Sequence, residues 1–183
     1  MGFETCGPNE VLVVSGMGHS QPKFKNGGWV FVWPKLQRLQ RLSVSLMTLS
    51  IETNDALTQQ GIAISVKAVA QVKVCSQNME MLKMAAERFL GKSEEEISGT
   101  VMESLQGIQK TLISKSSLEE IYFDSEKKFN KTLFEEAASE LINMGIQIVS
   151  YKVVDVEDKE GHMETLIKER SQDRKKETTS SAE

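Results

Sequence analysis

The stretch Gly61–Val74, GIAISVKAVAQVKV, decides the fold more firmly than any other part of the sequence. Every even position from Ile62 to Val74 is apolar, while the odd positions include Lys67 and Gln71. Side chains of a strand point alternately to its two faces, so seven alternations in register predict a long, half-buried β-strand.

After this strand the spacing of apolar residues becomes helical. Asn78 can cap a first helix that ends at Gly91. The capping box Ser93–Glu96 begins a second helix, and the box Ser117–Glu120 begins a third, which ends at Gly145. The sequence therefore predicts three consecutive helices.

The residues before Gly61 read as shorter strands. We expect strands at Asn9–Ser15 and Trp29–Trp33, separated by a loop that includes Asn26–Gly28. Between Leu42 and Ile51 the apolar residues change from even to odd positions. A shift of one residue predicts a β-bulge or bend within this strand.

The C-terminal part begins with Ile146–Val154, which is again typical of a strand. Charged residues dominate from Asp155 onward, and we expect a polar helix to begin near Met163–Ile167. The last residues, Thr178–Glu183, are expected to be disordered.

The order is four strands, three helices, a strand and a charged helix, which indicates an α+β fold with antiparallel-type strands rather than a doubly wound sheet. We expect one domain over residues 1–155. Residues 1 to about 75 are mainly strands, and residues 76–155 are helical with one strand. Residues 156–183 form the charged helix start and tail.

Charge is distributed unevenly along the chain. Val11–Ile51 contains no Asp or Glu and carries five cations, and the whole chain has a net charge of −4, so the remainder carries −9. The five cations are Lys23, Lys25, Lys35, Arg38 and Arg41. The segment also contains both tryptophans, in GGWVFVWP at Gly27–Pro34.

Two interpretations fit this basic aromatic segment, and they are compatible. Indole rings favour the headgroup level of a membrane and basic side chains favour anionic lipid, so the segment could contact a bilayer. It could also be a hairpin whose aromatics fill a core. Trp29, Phe31 and Trp33 share one strand face, which is then either core or lipid-facing.

The sequence offers little for catalysis. His19 and His162 lie apart from other ligands at a metal-binding spacing, and phosphate-binding, dinucleotide-binding and nucleophile-elbow motifs are absent. We therefore expect no catalytic residue, no metal and no cofactor. The acidic composition and the lack of a ribonucleoprotein motif also predict no nucleic-acid partner.

Targeting signals are equally sparse. The chain has no run of 18 apolar residues and no secretory signal, so we expect it in the cytosol or on a cytosolic membrane face. Cys75 is expected to be a small buried residue. Cys6 is a lipidation candidate, although it replaces the Ser or Thr that N-myristoylation requires at the sixth position.

Several stretches together resemble the start of a flotillin. They are Cys6–Glu10, Val13–Gly16, Gln37–Arg41, Val69–Lys73, Phe89–Lys92, Glu119–Tyr122, Asn143–Ile146 and Val149–Tyr151. The resemblance extends over about residues 3–166. It implies a stomatin–prohibitin–flotillin (SPFH) domain with an α+β fold. It also implies a non-enzymatic membrane-microdomain (raft) scaffold linked to endocytosis, trafficking and signalling.

The same resemblance implies acylation, attachment to the cytoplasmic face of plasma membrane and endosomes, and homo- or hetero-oligomers. The chain departs from the family in four respects. Lys35 stands where relatives have a palmitoylated cysteine, and the loop after Ser15–Gly16 has Gly18 near the place of another cysteine of the relatives. Gln106–Lys110 differs from a family motif, and the C-terminal coiled coil is missing. The expectation is therefore a short form whose oligomerisation is weakened.

The membrane-contact candidates are cations and aromatics from one segment, namely Lys23, Phe24, Lys25, Trp29, Phe31, Trp33, Lys35 and Arg38. Their expected partners are lipids of the cytoplasmic leaflet. The alternative is a soluble interaction module that binds full-length flotillins or other proteins without touching lipid.

Overall fold

The computed structural model describes residues 2–17, 21–33, 35–123, 128–158, 161–162 and 164–168. In these ranges the chain forms two three-stranded antiparallel sheets, four helices and a short helical stretch at residues 162 and 164–168. The first sheet has the order β2-β1-β3, with β1 at Phe3–Gly16, β2 at Lys23–Phe31 and β3 at Gln37–Ser43. The second has the order β4-β5-β6, with β4 at Met47–Leu57, β5 at Ala63–Val74 and β6 at Ile146–Asp158.

The helices lie between β5 and β6 in the sequence. They are α1 at Met79–Phe89, α2 at Glu94–Lys115, α3 at Leu118–Phe123 and α4 at Asn130–Ile142. Helix α2 contacts β4, and α4 contacts β6. The α+β class is therefore confirmed.

Strand β5 is the centre of the second sheet, as its alternation predicts. Its even residues from Ile64 to Val74 are buried and face the helices' apolar side chains in one core. Gln109 of α2 makes two buried hydrogen bonds to the sheet. Its side-chain amide donates to the carbonyl of Val66 (3.2 Å) and accepts from the Tyr151 hydroxyl (3.2 Å). This buried chain of hydrogen bonds fixes α2 across β5 and β6.

The predicted helix starts are confirmed in atomic detail. Asn78 accepts from two backbone N–H groups of α1, and Ser93 and Glu96 form a complete capping box. Ser117 and Glu120 exchange the same pair of hydrogen bonds at the start of α3. The local capping chemistry is sufficient to set these boundaries.

The number of elements differs from the prediction in two places. The predicted third helix corresponds to α3 and α4, and residues 124–127 between them lie outside the described residues. The predicted single strand Leu42–Ile51 is two strands in different sheets: Leu42 is buried in β3, Leu46 is exposed, and Met47 is buried in β4. The change of parity therefore marks the passage between sheets and not a bulge.

The first two strands begin earlier than predicted, and β2 ends at Phe31, two residues before the predicted end at Trp33. Asn26–Gly28 lies within β2 and not in a loop. Within this part of the strand, Gly27 and Gly28 have φ of 78° and 81°. Such positive φ values suit glycine. They lie opposite an irregularity in β1, where the register shifts between Cys6 and Val11. The irregularity bends β1.

At the C-terminal end, residue 162 and residues 164–168 are helical, in agreement with the expected polar helix. The expected disordered tail, Thr178–Glu183, lies outside the described residues.

Gly145 joins α4 to β6. Its φ is 74°, and its carbonyl accepts from Cys75 N–H at the end of β5 (3.0 Å). A Cβ at this position would lie 2.6 Å from the backbone nitrogen of Ala85 in α1. Only glycine therefore permits both the turn and the close approach of α1.

Candidate functional site

An exposed cluster of aromatic rings lies on the first sheet. Phe3 pairs directly with Phe31 across β1 and β2, and Thr5 pairs with Trp29. The Phe3 ring centroid lies 5.4 Å from that of Trp29 and 5.1 Å from that of Phe31, and the Phe31 centroid lies 5.8 Å from that of Trp33. These four residues, here called the aromatic cluster, are between 42% and 66% exposed.

The rings of the aromatic cluster are exposed because successive side chains of β2 point to opposite faces of the sheet. Trp29 and Phe31 are exposed, whereas Val30 between them is half-buried and Val32 is buried. The apolar side of this sheet that faces inward is therefore already occupied by valines. Large rings that remain exposed as a group are the usual mark of a binding surface.

Two further apolar side chains extend the aromatic cluster. Met17 N–H donates to the carbonyl of Leu36 (3.0 Å), and Leu36 N–H donates to that of Trp33 (3.3 Å). The Gln37 side chain secures this turn by accepting from Trp33 N–H (3.1 Å) and donating to the Met17 carbonyl (3.2 Å). Met17 and Leu36 are both exposed. Together with the aromatic cluster they form what we call the apolar tip.

The predicted cations lie at different positions in β2, in the turn that follows it and in β3. Lys35 lies in the turn between Trp33 and Leu36 with φ of 68°, and Arg38 follows at the start of β3. Lys23 and Lys25 are exposed farther along β2, opposite Val14 and Leu12. None of these four cations forms an ion pair within the part of the chain that the structure describes. Their charges are available to an external anion.

Arg41, the fifth cation of the segment, is engaged differently. Its guanidinium donates to Glu10 (2.9 Å) and Glu4 (3.0 Å). The Gly7 N–H, which donates to the Glu10 carboxylate at 2.8 Å, lowers the pKa of Glu10, and Arg41 lowers it further. Arg41 thus compensates two carboxylates of β1.

Two predicted site residues face away from the surface. Phe24 is half-buried and packs against the core, because it has the opposite parity to Lys23 and Lys25. Cys6 is half-buried, and its thiol donates to the carbonyls of Glu10 (3.0 Å) and Lys25 (3.4 Å). The lipidation candidate therefore has its sulfur turned into the irregular part of β1.

The tip includes three residues that sequence reasoning missed: Phe3, Met17 and Leu36. The local pattern around each is uninformative, since they meet the tryptophans through strand pairing and a turn. The described residues contain no group of three or more His, Cys, Asp or Glu side chains suited to a metal. Burial raises the pKa of Tyr151, whose hydroxyl is used in the core hydrogen bond.

The fold defined by these elements corresponds to a known class of domain. The sequence profile described as SPFH domain / Band 7 family matches residues 4–183. The chain belongs to this family, which confirms the class implied by the resemblance.

Within it, the chain is similar to flotillin-1. It is 50% identical to flotillin-1 of Drosophila melanogaster over 165 residues, which are 90% of this chain and 38% of that protein. It is 44% identical to flotillin-1 of Homo sapiens and 43% identical to that of Carassius auratus, in each case over 169 residues and 92% of this chain. These stretches are 39% and 40% of the two relatives, so the chain spans about two fifths of their length.

In the ranges that the structure describes, no helix is both long and apolar enough to cross a bilayer.

Proposed function

We propose that this chain is a non-enzymatic, peripheral membrane scaffold module whose apolar tip enters the headgroup region of an anionic leaflet. The observation that carries the proposal is the outward-facing aromatic cluster, together with four exposed cations that have no ion-pair partner among the described residues. Tryptophan rings have an apolar body and a polar N–H, which suits the interface between headgroups and acyl chains. Lysine and arginine next to them meet lipid phosphates.

The four cations act as the electrostatic half of this contact. Each basic side chain near an anionic surface contributes about 1 kcal/mol. The quadruple change of Lys23, Lys25, Lys35 and Arg38 to Gln should therefore weaken vesicle binding by roughly three orders of magnitude at low salt. At about 1 M salt the difference should almost vanish, because the screening length is then only about 3 Å.

Flotation with phosphatidylserine-containing vesicles tests this step. A matched control changes four exposed lysines elsewhere to Gln, namely Lys92, Lys110, Lys115 and Lys152. The control has the same net charge as the test variant but keeps the tip cations. If both variants lost the same affinity for vesicles, net charge alone would govern binding. If the test variant bound vesicles as wild type does, the four cations would have no part in the membrane contact.

The similarity to flotillin-1 supports the finer parts of the proposal. We place the chain on the cytoplasmic face of the plasma membrane and endosomes, in microdomains linked to endocytosis, trafficking and signalling, in assemblies with itself or with flotillins. Membrane imaging of the tagged chain with co-precipitation of flotillins tests these points together.

Cys6 acylation is a separate proposal. Because the thiol hydrogen is directed between the carbonyls of Glu10 in β1 and Lys25 in β2, acylation requires this irregular segment to open. Acyl exchange on wild type and Cys6→Ser measures it directly. Loss of the label and weaker flotation in Cys6→Ser are the expected result, whereas equal flotation of the two would show that the tip is sufficient.

A protein partner is the second candidate for the same surface. Tryptophan, phenylalanine and methionine are enriched where proteins bind one another, and the tip contains all three. Binding to flotillins in the absence of lipid, together with no vesicle binding, would favour this interaction module.

A further inference from the structure

A cleft of about 340 Å³ lies between the first sheet and α1, on the opposite side of β2 from the exposed lysines. Its apolar lining consists of Val13, Pro22, Phe24, Ala86 and Leu90. A methylene group occupies a volume similar to the 30 Å³ of a liquid water molecule, so the cleft has room for about ten to twelve methylenes. Size and lining thus suit one short hydrocarbon chain.

Two opposite charges stand at the rim of this cleft. Lys83 and Glu87 line it from α1 and are exposed. They are one helical turn apart, which separates their Cβ atoms by about 5–6 Å. Neither has an ion-pair partner among the residues that the structure describes. The order Lys before Glu is the weaker arrangement of an i,i+4 pair, so both charges are available to a ligand.

A phosphate–ammonium headgroup carries the two charges that are complementary to Lys83 and Glu87. A carboxylate alone would complement only Lys83, and a cation alone would complement only Glu87. A zwitterionic phosphate–ammonium headgroup complements both, by charge-assisted contacts.

The edge position of β2 provides a route into the cleft. β2 is an outer strand of its sheet, and it holds Phe24 in the cleft between the outward-facing Lys23 and Lys25. A lipid retained near these lysines could pass its chain around the open edge of the strand. We propose that the cleft binds a single lipid acyl chain with a zwitterionic phosphate–ammonium headgroup; this rests on the proposed membrane contact for its source of lipid.

Calorimetric titration with dodecanoyl lysophosphatidylcholine, kept below its critical micelle concentration, tests the inference on the full chain. We expect one molecule bound per chain. Lys83→Gln and Glu87→Gln should each weaken binding about five- to tenfold. Leu90→Trp, which fills the cleft, should abolish it, provided that its circular dichroism matches wild type.

Matched controls come from the same region. Glu80 of α1 and Lys92 lie outside the cleft lining, so Glu80→Gln and Lys92→Gln should bind the lipid as wild type does. Dodecanoate and dodecyltrimethylammonium, which each carry one of the two charges, should bind more weakly than the lysophospholipid.

Absence of binding below the micelle concentration would overturn the inference, as would affinities unaffected by Lys83→Gln and Glu87→Gln. Equal affinity for dodecanoate would overturn the zwitterionic assignment. Substitution of the tip tryptophans should leave this soluble-lipid binding unchanged, so the cleft and the membrane contact can fail independently.

Discussion

Replacing both tryptophans tests how much of the membrane affinity the apolar tip provides. Trp29 is 64% exposed and Trp33 is 58% exposed, so each presents up to about 150 Å² to a bilayer. At about 25 cal/mol per Å², full burial would contribute at most about 4 kcal/mol for each ring. Entry of only one edge into the headgroup region reduces this to about 1–2 kcal/mol each.

The double variant Trp29→Gln/Trp33→Gln should therefore lose about 2–4 kcal/mol, which weakens the partition coefficient about 30- to 1,000-fold. Vesicle co-sedimentation over a range of lipid concentrations measures this coefficient. Thermal unfolding should change little, since both rings are mostly exposed.

A matched control removes exposed apolar surface from the second sheet instead. Leu57 is 56% exposed on β4 and Val154 is 67% exposed on β6, and Leu57→Gln/Val154→Gln should bind vesicles as wild type does. The reasoning is refuted if the tryptophan variant partitions as wild type does, or if both double variants lose affinity equally.

Three further predictions concern the fold. Gly145→Ala should destabilise the protein by about 2–4 kcal/mol in urea unfolding, because the added Cβ would collide with α1. Gly107 lies in α2 with open space around it, so Gly107→Ala should stabilise the protein by about 0.5–1 kcal/mol. Tyr151→Phe should cost about 1–2 kcal/mol by leaving the Gln109 oxygen unpaired; a smaller cost in a Gln109→Met background would confirm the bond. Folding lowers the pKa of Glu10, so its carboxylate stabilises the folded state above the ordinary pKa of 4.5. This stabilisation is lost as the pH falls through the lowered pKa of the folded state. If NMR showed the Glu10 carboxylate titrating at or above 4.5, the prediction would be wrong.

Local signals in the sequence were sufficient for much of the fold. The alternation of β5 and the caps at Asn78, Ser93 and Ser117 depend on neighbours within a few residues, and the structure confirms each. The break between β3 and β4 has a sequence signal, the change of parity after Leu46. Parity alone predicts a bulge or bend there, because it does not reveal which sheet a strand joins.

The site was predictable only in part. Trp29, Phe31 and Trp33 share one face, as the sequence predicts, and the structure exposes that face. The addition of Phe3 depends on register between strands that are far apart in sequence, and the local sequence carries no signal for it. Phe24 shows the opposite case. It is an aromatic residue of the basic segment and is therefore among the membrane-contact candidates that the sequence predicts, but its parity in β2 packs it against the core.

The natural tryptophans allow the central claim to be measured without substitution, because Trp29 and Trp33 are the only two in the chain. Fluorescence should be recorded with anionic vesicles that carry brominated lipids at known depths. Membrane contact through the tip predicts a blue-shifted emission and strong quenching by bromines near the headgroups. Vesicle-bound protein whose emission is neither shifted nor quenched would contradict the account.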